Sequence, residues 1–208
     1  MKAKILIATT NSNKVKRIKN LMQEFNVEFI ALSDLDYKIP EPEENQENAL
    51  EIAKNKARYY YDSLKEKIPV LTQDDTMHLI GIKQEDNPGT NLKKPVIKKF
   101  GEATDENVIK YYSELAEKYG GYIDLNFVYG HGFCDRKNLE ARESKLSGRL
   151  ISKPKLDKAV NYPINSILQI NINGQWIYYS DLTLDQRVLA DHELRDSIRH
   201  LLRGFHNS

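Results

Sequence analysis

The sequence predicts an α/β protein, and three features carry that expectation. The chain starts with a short apolar strand that runs through a polar turn into an amphipathic helix. A long helical face then leads into a second buried strand. The other half holds an alternating segment and a hairpin signal, so strands and helices are interspersed rather than segregated.

Ile5, Leu6, Ile7 and Ala8 form the first apolar run, which ends in Thr9-Thr10-Asn11-Ser12-Asn13. Val15, Ile18, Leu21, Met22 and Phe25 follow at helical spacing, with Asn11, Ser12 and Asn13 as candidate caps. Val27 to Ala31 reads as a second strand. Lys38 to Asn48 is acidic, carries Pro40 and Pro42, and is expected to be a loop. Ala49, Ile52, Ala53, Lys56, Ala57, Tyr60 and Leu64 then share one helical face. Pro69 to Thr72 is a strand signal running into Gln73-Asp74-Asp75-Thr76, with His78 to Ile82 as its continuation or partner.

Asn87 to Lys99 is expected to be irregular, and Thr104 to Lys118 helical. Ile123, Leu125, Phe127 and Tyr129 alternate as in a half-buried strand. Leu146 to Ile151, Ile167 to Ile172 and Gln175 to Tyr179 suggest further strands, the last two joined by Asn173-Gly174, the strongest hairpin signal in the chain. A single last helix is expected through Leu184, Val188, His192, Arg195, Ile198 and Leu202, capped by Ser180, Asp181 or Thr183.

At 208 residues, with 40% hydrophobic residues, the chain has the size of one domain, which can carry two lobes. A chain of this length needs no disulfide or structural metal to hold a core. Its single cysteine, Cys134, argues against a disulfide framework and points to a reducing compartment. With 31 basic against 30 acidic residues, it lacks the bulk charge of a protein that coats nucleic acid. No apolar run approaches membrane-spanning length and the opening segment lacks a signal-peptide core, so the expected setting is cytoplasmic, with neither membrane nor nucleic acid polymer as partner.

Three polar clusters stand at the ends of apolar elements: Thr9 to Lys14, Glu51 with Lys56, and Asp74-Asp75-Thr76. A strand-to-helix turn can offer backbone N–H groups to an anion, and Lys14 adds charge there, although such a turn alone is far more often an ordinary helix cap. Adjacent carboxylates on a strand point to opposite sides, so one can hold a hard cation while the other handles a water. Their plainer reading is a solvated strand end. Glu51 and Lys56 are about 140° apart around a helix and reach one site only by flanking it.

Other candidates are weaker. His192-Glu193-Leu194-Arg195-Asp196 lacks the second histidine of a zinc protease helix. His131 and Cys134 read as a buried structural pair, Tyr59-Tyr60-Tyr61 as core and subunit surface, and Lys93, Lys94, Lys98 and Lys99 as a solvated basic loop.

Taken in order, the clusters resemble the non-canonical purine nucleoside triphosphate pyrophosphatases, the inosine triphosphatase or Ham1-like family. Thr9, Asn11 and Lys14 are similar to the family's Thr-x-Asn-x-x-Lys turn. Glu51-Ile52-Ala53-Lys54-Asn55-Lys56-Ala57 is similar to its Glu-Asn-Ala-x-x-Lys-Ala helix, with Ile52 in place of Asn. Gln73 to Thr76 resembles its acidic-Asp-Ser/Thr motif, and Pro88-Gly89 the segment that follows. The second half matches thinly: the family's Ser-His-Arg triplet reads Asp191-His192-Glu193, with Arg187 in place of a lysine, and its base-reading segment has at best a remnant in Asn161-Tyr162-Pro163-Ile164.

The resemblance implies a single domain over residues 1–208: a long twisted mixed sheet flanked by helices, with two lobes around a central nucleotide cleft, in a homodimer. It implies hydrolysis of nucleoside triphosphates to monophosphate and pyrophosphate with Mg²⁺ as cofactor. Asp75 is then the general base, Lys56 the second catalytic residue, and Glu51 and Asp74 the metal ligands. Thr9, Asn11, Lys14, Arg187, His192 and Glu193 would bind substrate. A different class stays open, a nucleotide-binding or regulatory protein that keeps the phosphate cradle and turns over weakly. Glu193 stands where the family's arginine donates to a purine oxo group; as an acceptor it would favour a base carrying an N–H or amine, unless it is a solvated residue paired with Arg187 or Arg195.

Overall fold

The computed structural model describes residues 2–43, 48–155 and 162–205. Among these, seven strands and six α-helices follow in the order β1 (Ala3–Ile7), α1 (Ser12–Leu21), β2 (Val27–Ala31), α2 (Ala49–Ser63), β3 (Val70–Leu79), α3 (Lys94–Phe100), α4 (Asp105–Lys118), β4 (Tyr122–Cys134), β5 (Leu139–Ile151), β6 (Leu168–Ile172), β7 (Gln175–Tyr178), α5 (Leu184–Ala190) and α6 (His192–Leu201). The strands form one open sheet in the order β2-β1-β3-β4-β5-β6-β7. It is mixed: β1 pairs in parallel with β2 and β3, whereas β6 is antiparallel to β5 and β7. The expected α/β class and mixed sheet are therefore present. No helix among the described residues is long and apolar enough to cross a membrane.

The chain divides into two compact units. One comprises residues 1–75, 129–144 and 193–208; the other comprises 76–128 and 145–192. In the first unit Ile5, Leu6 and Ile7 are wholly buried, as a strand covered on both faces requires. The helix α2 lies directly on the β4 backbone: a Cβ on Gly130 or Gly132 would overlap the carbonyls of Ala49 and Ala53. Glycine is needed there because no side chain fits between helix and strand. Cys134 belongs to an apolar cluster with Leu6, Ala8, Ala57 and Tyr60, and Tyr60 and Tyr61 are buried, with Tyr59 half-buried.

In the second unit Tyr112 is buried, donates its hydroxyl to the Leu92 carbonyl at 2.9 Å, and is pushed up from the usual phenol value chiefly by burial. Asn173 and Gly174 both take positive φ (52° and 86°) between β6 and β7, the two-residue hairpin their sequence requires.

Two expectations are corrected. The segment from Asn87 is irregular only to Lys93; Lys94–Phe100 is helical, because Pro95 sits in the first turn, where its missing N–H costs nothing, and Gly101 ends the helix at φ 84°. The single last helix is two. Its break falls at Asp191, and the apolar stripe is buried only on α6, whereas Leu184, Val188 and Leu189 on α5 are exposed. Thr183 and Gln186 close α5 with a reciprocal capping box. Part of the expected loop at Lys38 to Asn48, and Asn161, lie outside the described residues.

Candidate functional site

The turn after β1 is built by side chains. Thr9 Oγ1 accepts from the Asn11 N–H at 3.2 Å, and Asn11 Oδ1 accepts from the N–H groups of Asn13 and Lys14 at 3.0 and 3.3 Å. Asn11 is thus the cap of α1. The capping uses two of the amides that an anion would need, so in this state the anion-binding capacity rests more on the Lys14 side chain than on the backbone.

That side chain is already engaged. Lys14 Nζ pairs with Asp75 Oδ1, and Lys56 Nζ pairs with Asp74 Oδ2 at 2.5 Å. Asp74 also accepts from the Asp75 N–H at 2.8 Å. Strand β3 persists through both aspartates, so they leave it on opposite sides: α2 supplies the lysine for one, α1 the lysine for the other. All four side chains are less than a quarter exposed, so the pairs are poorly screened and hold both carboxylates in fixed places. Thr76 follows, buried and with its hydroxyl lacking a protein partner among the described residues.

Glu51 lies in the first turn of α2, which Asn48 caps by accepting the Glu51 N–H at 2.9 Å. A carboxylate is favourable at that position. No three His, Cys, Asp or Glu side chains cluster to form a ready metal cage among the described residues. Glu51 and Asp74 offer carboxylates without imidazole or thiolate, which does not suit zinc. Carboxylates do suit Mg²⁺, which keeps several waters and takes only one or two of them beside phosphate oxygens.

Beside this cluster, sequence reasoning passed over Arg17 and gave His131 only a structural part. Arg17, one turn along α1 from Lys14, lies over the Tyr129 ring at 4.9 Å. His131 is fully buried and bonds Ser144 Oγ through Nε2 at 2.8 Å rather than approaching Cys134. Both residues are buried, as expected, but three residues apart on a strand they face opposite sides and do not pair with each other. Burial, with the charges of Arg17 and Lys14, lowers the His131 pKa to about 3, and the ring is neutral at physiological pH. The usable signal was a histidine on the inward, apolar phase of an alternating strand.

The remaining expected residues lie elsewhere in the chain. Arg187, on α5, donates to the carbonyls of Leu182 (3.2 Å) and Ser180 (3.4 Å) and lies 5.7 Å from the Tyr179 ring centroid. His192 opens α6, exposed, with Nδ1 2.9 Å from the Leu189 carbonyl. Glu193 is exposed in the first turn of the same helix. Asp191 is the surprise: only 4% exposed, it accepts the Tyr179 hydroxyl at 3.1 Å. In the basic segment, Lys99 pairs with Glu114 at 2.6 Å.

A capped strand-to-helix turn bearing Lys14, a helix bearing Glu51 and Lys56, and a strand bearing paired aspartates thus follow one another in the chain. The Ham1 family profile matches residues 5–194. This chain belongs to the Ham1 family. Solved Ham1 structures share its fold. A HAM1 protein from Coxiella burnetii has a TM-score of 0.72 at 16% identity, covering 97% of this chain and 99% of that one. The Staphylococcus aureus Ham1 protein gives 0.66 at 18% identity, covering 97% and 98%. A nucleoside-triphosphatase described as a dITP/XTP pyrophosphatase, from Mycobacterium abscessus, gives 0.64 at 17%, covering 96% and 98%. No curated protein matches the chain.

Proposed function

We propose that this Ham1-family protein is a nucleotide pyrophosphatase, hydrolysing nucleoside triphosphates to monophosphate and pyrophosphate. The observation that carries this reading is the double ion pair: two adjacent carboxylates on one strand, each matched by a lysine from a different helix beside a capped strand-to-helix turn. The dITP/XTP pyrophosphatase named among the structural relatives is consistent with it.

In the proposed mechanism, Glu51 and Asp74 would hold Mg²⁺, which when bound neutralises phosphate charge and stabilises the leaving group. Triphosphate oxygens compete with Asp75 and Asp74 for Lys14 and Lys56, and the lysines offset the charge of the substrate. Thr9 and Asn11 orient phosphate oxygens. Asp75, released from Lys14, takes a proton from a water; the water oxygen forms a bond to phosphorus as the bridging P–O bond between the α and β phosphates breaks, and pyrophosphate leaves with the electron pair. A carboxylate suits this base role better than a direct attack when water is at hand.

Arg187, His192 and Glu193 are proposed to meet the rest of the nucleotide. Glu193, an acceptor, would favour a base with an N–H or amine over an oxo purine. The second reading, a binder with little turnover, draws on the triplet Asp191-His192-Glu193, whose Asp191 is turned inward to Tyr179. A homodimer is what the resemblance implies, and light scattering on the purified protein tests it.

The test is a panel of nucleoside triphosphates with Mg²⁺, with EDTA as control. Turnover of at least one triphosphate, abolished by EDTA and restored by Mg²⁺, is expected. Tight binding without turnover of any would establish the second reading instead.

A further inference from the structure

Two buried polar side chains near Asp75 have unmet hydrogen-bonding capacity. Gln73 is 3% exposed, yet neither its Oε1 nor its Nε2 has a protein partner among the described residues. His131 is 0% exposed, and its Nδ1 likewise has none, Nε2 being taken by Ser144. Buried polar groups in native proteins are almost always paired, with protein or with ordered water.

The strands bring these two together. Thr72 Oγ1 reaches the Gly132 carbonyl at 3.3 Å, and the Ile80 N–H reaches the Asp124 carbonyl at 2.8 Å. The two contacts fix an antiparallel register between β3 and β4 that sets Gln73 opposite His131. Both lie on the face away from α2, because Thr72 bonds the Ala53 carbonyl of α2 at 2.6 Å and Gly130 and Gly132 abut that helix. Asp75, two residues along β3 from Gln73, shares their face and meets Lys14 of α1 there. The rise between residues 73 and 75 is about 6.6 Å, which a glutamine amide and one water span. Lys14 occupies Asp75 Oδ1, and Oδ2 is left for another donor.

We propose that Gln73 and His131 are positioning residues acting through Asp75: together they anchor a buried water that donates to the Asp75 carboxylate and fixes its orientation for proton abstraction. This rests on the pyrophosphatase reading above. The His131 ring, neutral at physiological pH, presents one N–H and one lone pair, so it can serve such a water without adding charge to the site. The same water would pair one end of the glutamine amide.

The test is Gln73→Met, which keeps the volume and removes the amide. Kinetics should show kcat lowered by about tenfold or more, with KM changed by less than about threefold and a thermal midpoint unchanged or raised. A merely structural glutamine would move the midpoint and leave kcat within about twofold, and that result overturns the proposal. The second readout needs no turnover: a high-resolution crystal structure of the wild-type protein should show an ordered water bonded to both Gln73 and Asp75. Absence of that water also overturns it. Failure of the wild-type protein to release pyrophosphate would sink the pyrophosphatase reading alone, since the crystallographic water reads the link separately. Should Gln73→Met not fold, that wild-type structure decides.

Discussion

The segment from Thr9 to Asp75 and the segment from Tyr179 to Glu193 differ in how they hold Lys14, Lys56, Arg187 and Asp191. In the first, carboxylates and lysines from three separate elements meet in half-buried pairs, Lys14 with Asp75 and Lys56 with Asp74, which a polyanion can take over by competing for the lysines. In the second, Arg187 and Asp191 are satisfied locally: Arg187 donates to carbonyls five and seven residues before it, and Asp191 is buried under the Tyr179 hydroxyl twelve residues away, while Asp181 pairs with Lys155 at 2.5 Å. Pairs that bridge elements are available for exchange with a ligand. Local ones chiefly hold their own segment in shape.

The sharpest way to break that contrast is Asp75→Asn. It should lower kcat by about a hundredfold while triphosphate affinity changes little, because a general base acts in the transition state. Steady-state kinetics with a parallel binding titration check this. Turnover near the wild-type level would remove Asp75 from the mechanism. On the other side of the comparison, Asp191→Ala should cost about 2 kcal/mol in chemical denaturation, since it strips a buried hydroxyl of its acceptor. A loss of turnover in that variant, with stability unchanged, would show that Asp191 is catalytic after all.

Smaller effects sharpen the picture. Lys14→Ala should weaken triphosphate binding by about tenfold, with the deficit shrinking as salt is raised from low to high concentration. A salt-independent deficit would mean that Lys14 acts by shape rather than charge. Glu193→Arg should shift relative kcat/KM toward oxo purines by a few-fold; an unchanged ranking of substrates shows that Glu193 does not read the base.

Much of this could be read from the sequence, for identifiable reasons. Asn11 and Thr183 as caps, β2 at Val27–Ala31 and the Asn173-Gly174 hairpin follow from local chemistry, which periodicity and turn residues report well. The ion pairs needed more: nothing local says that Lys14 meets Asp75 rather than Asp74, because that choice is made by which helix covers which face of β3. The helix Lys94–Phe100 fell inside a stretch expected to be irregular; Pro95 starts it, since a proline in the first turn costs no hydrogen bond. The break at Asp191 escaped because the helical spacing of Leu184, Val188, His192, Arg195, Ile198 and Leu202 runs across it, and the exposure of Leu184, Val188 and Leu189, with the buried bond to Tyr179, reveals that α5 does not share the packing of α6. Gln73 was hidden by its motif: beside two aspartates, an amide draws no notice until its burial is known.

The product of the reaction tests the central claim most directly. ³¹P NMR of a triphosphate incubated with the wild-type protein and Mg²⁺ should show the α, β and γ resonances replaced by those of a nucleoside monophosphate and inorganic pyrophosphate. Accumulation of nucleoside diphosphate and orthophosphate would place the cut at the terminal phosphate and contradict the account.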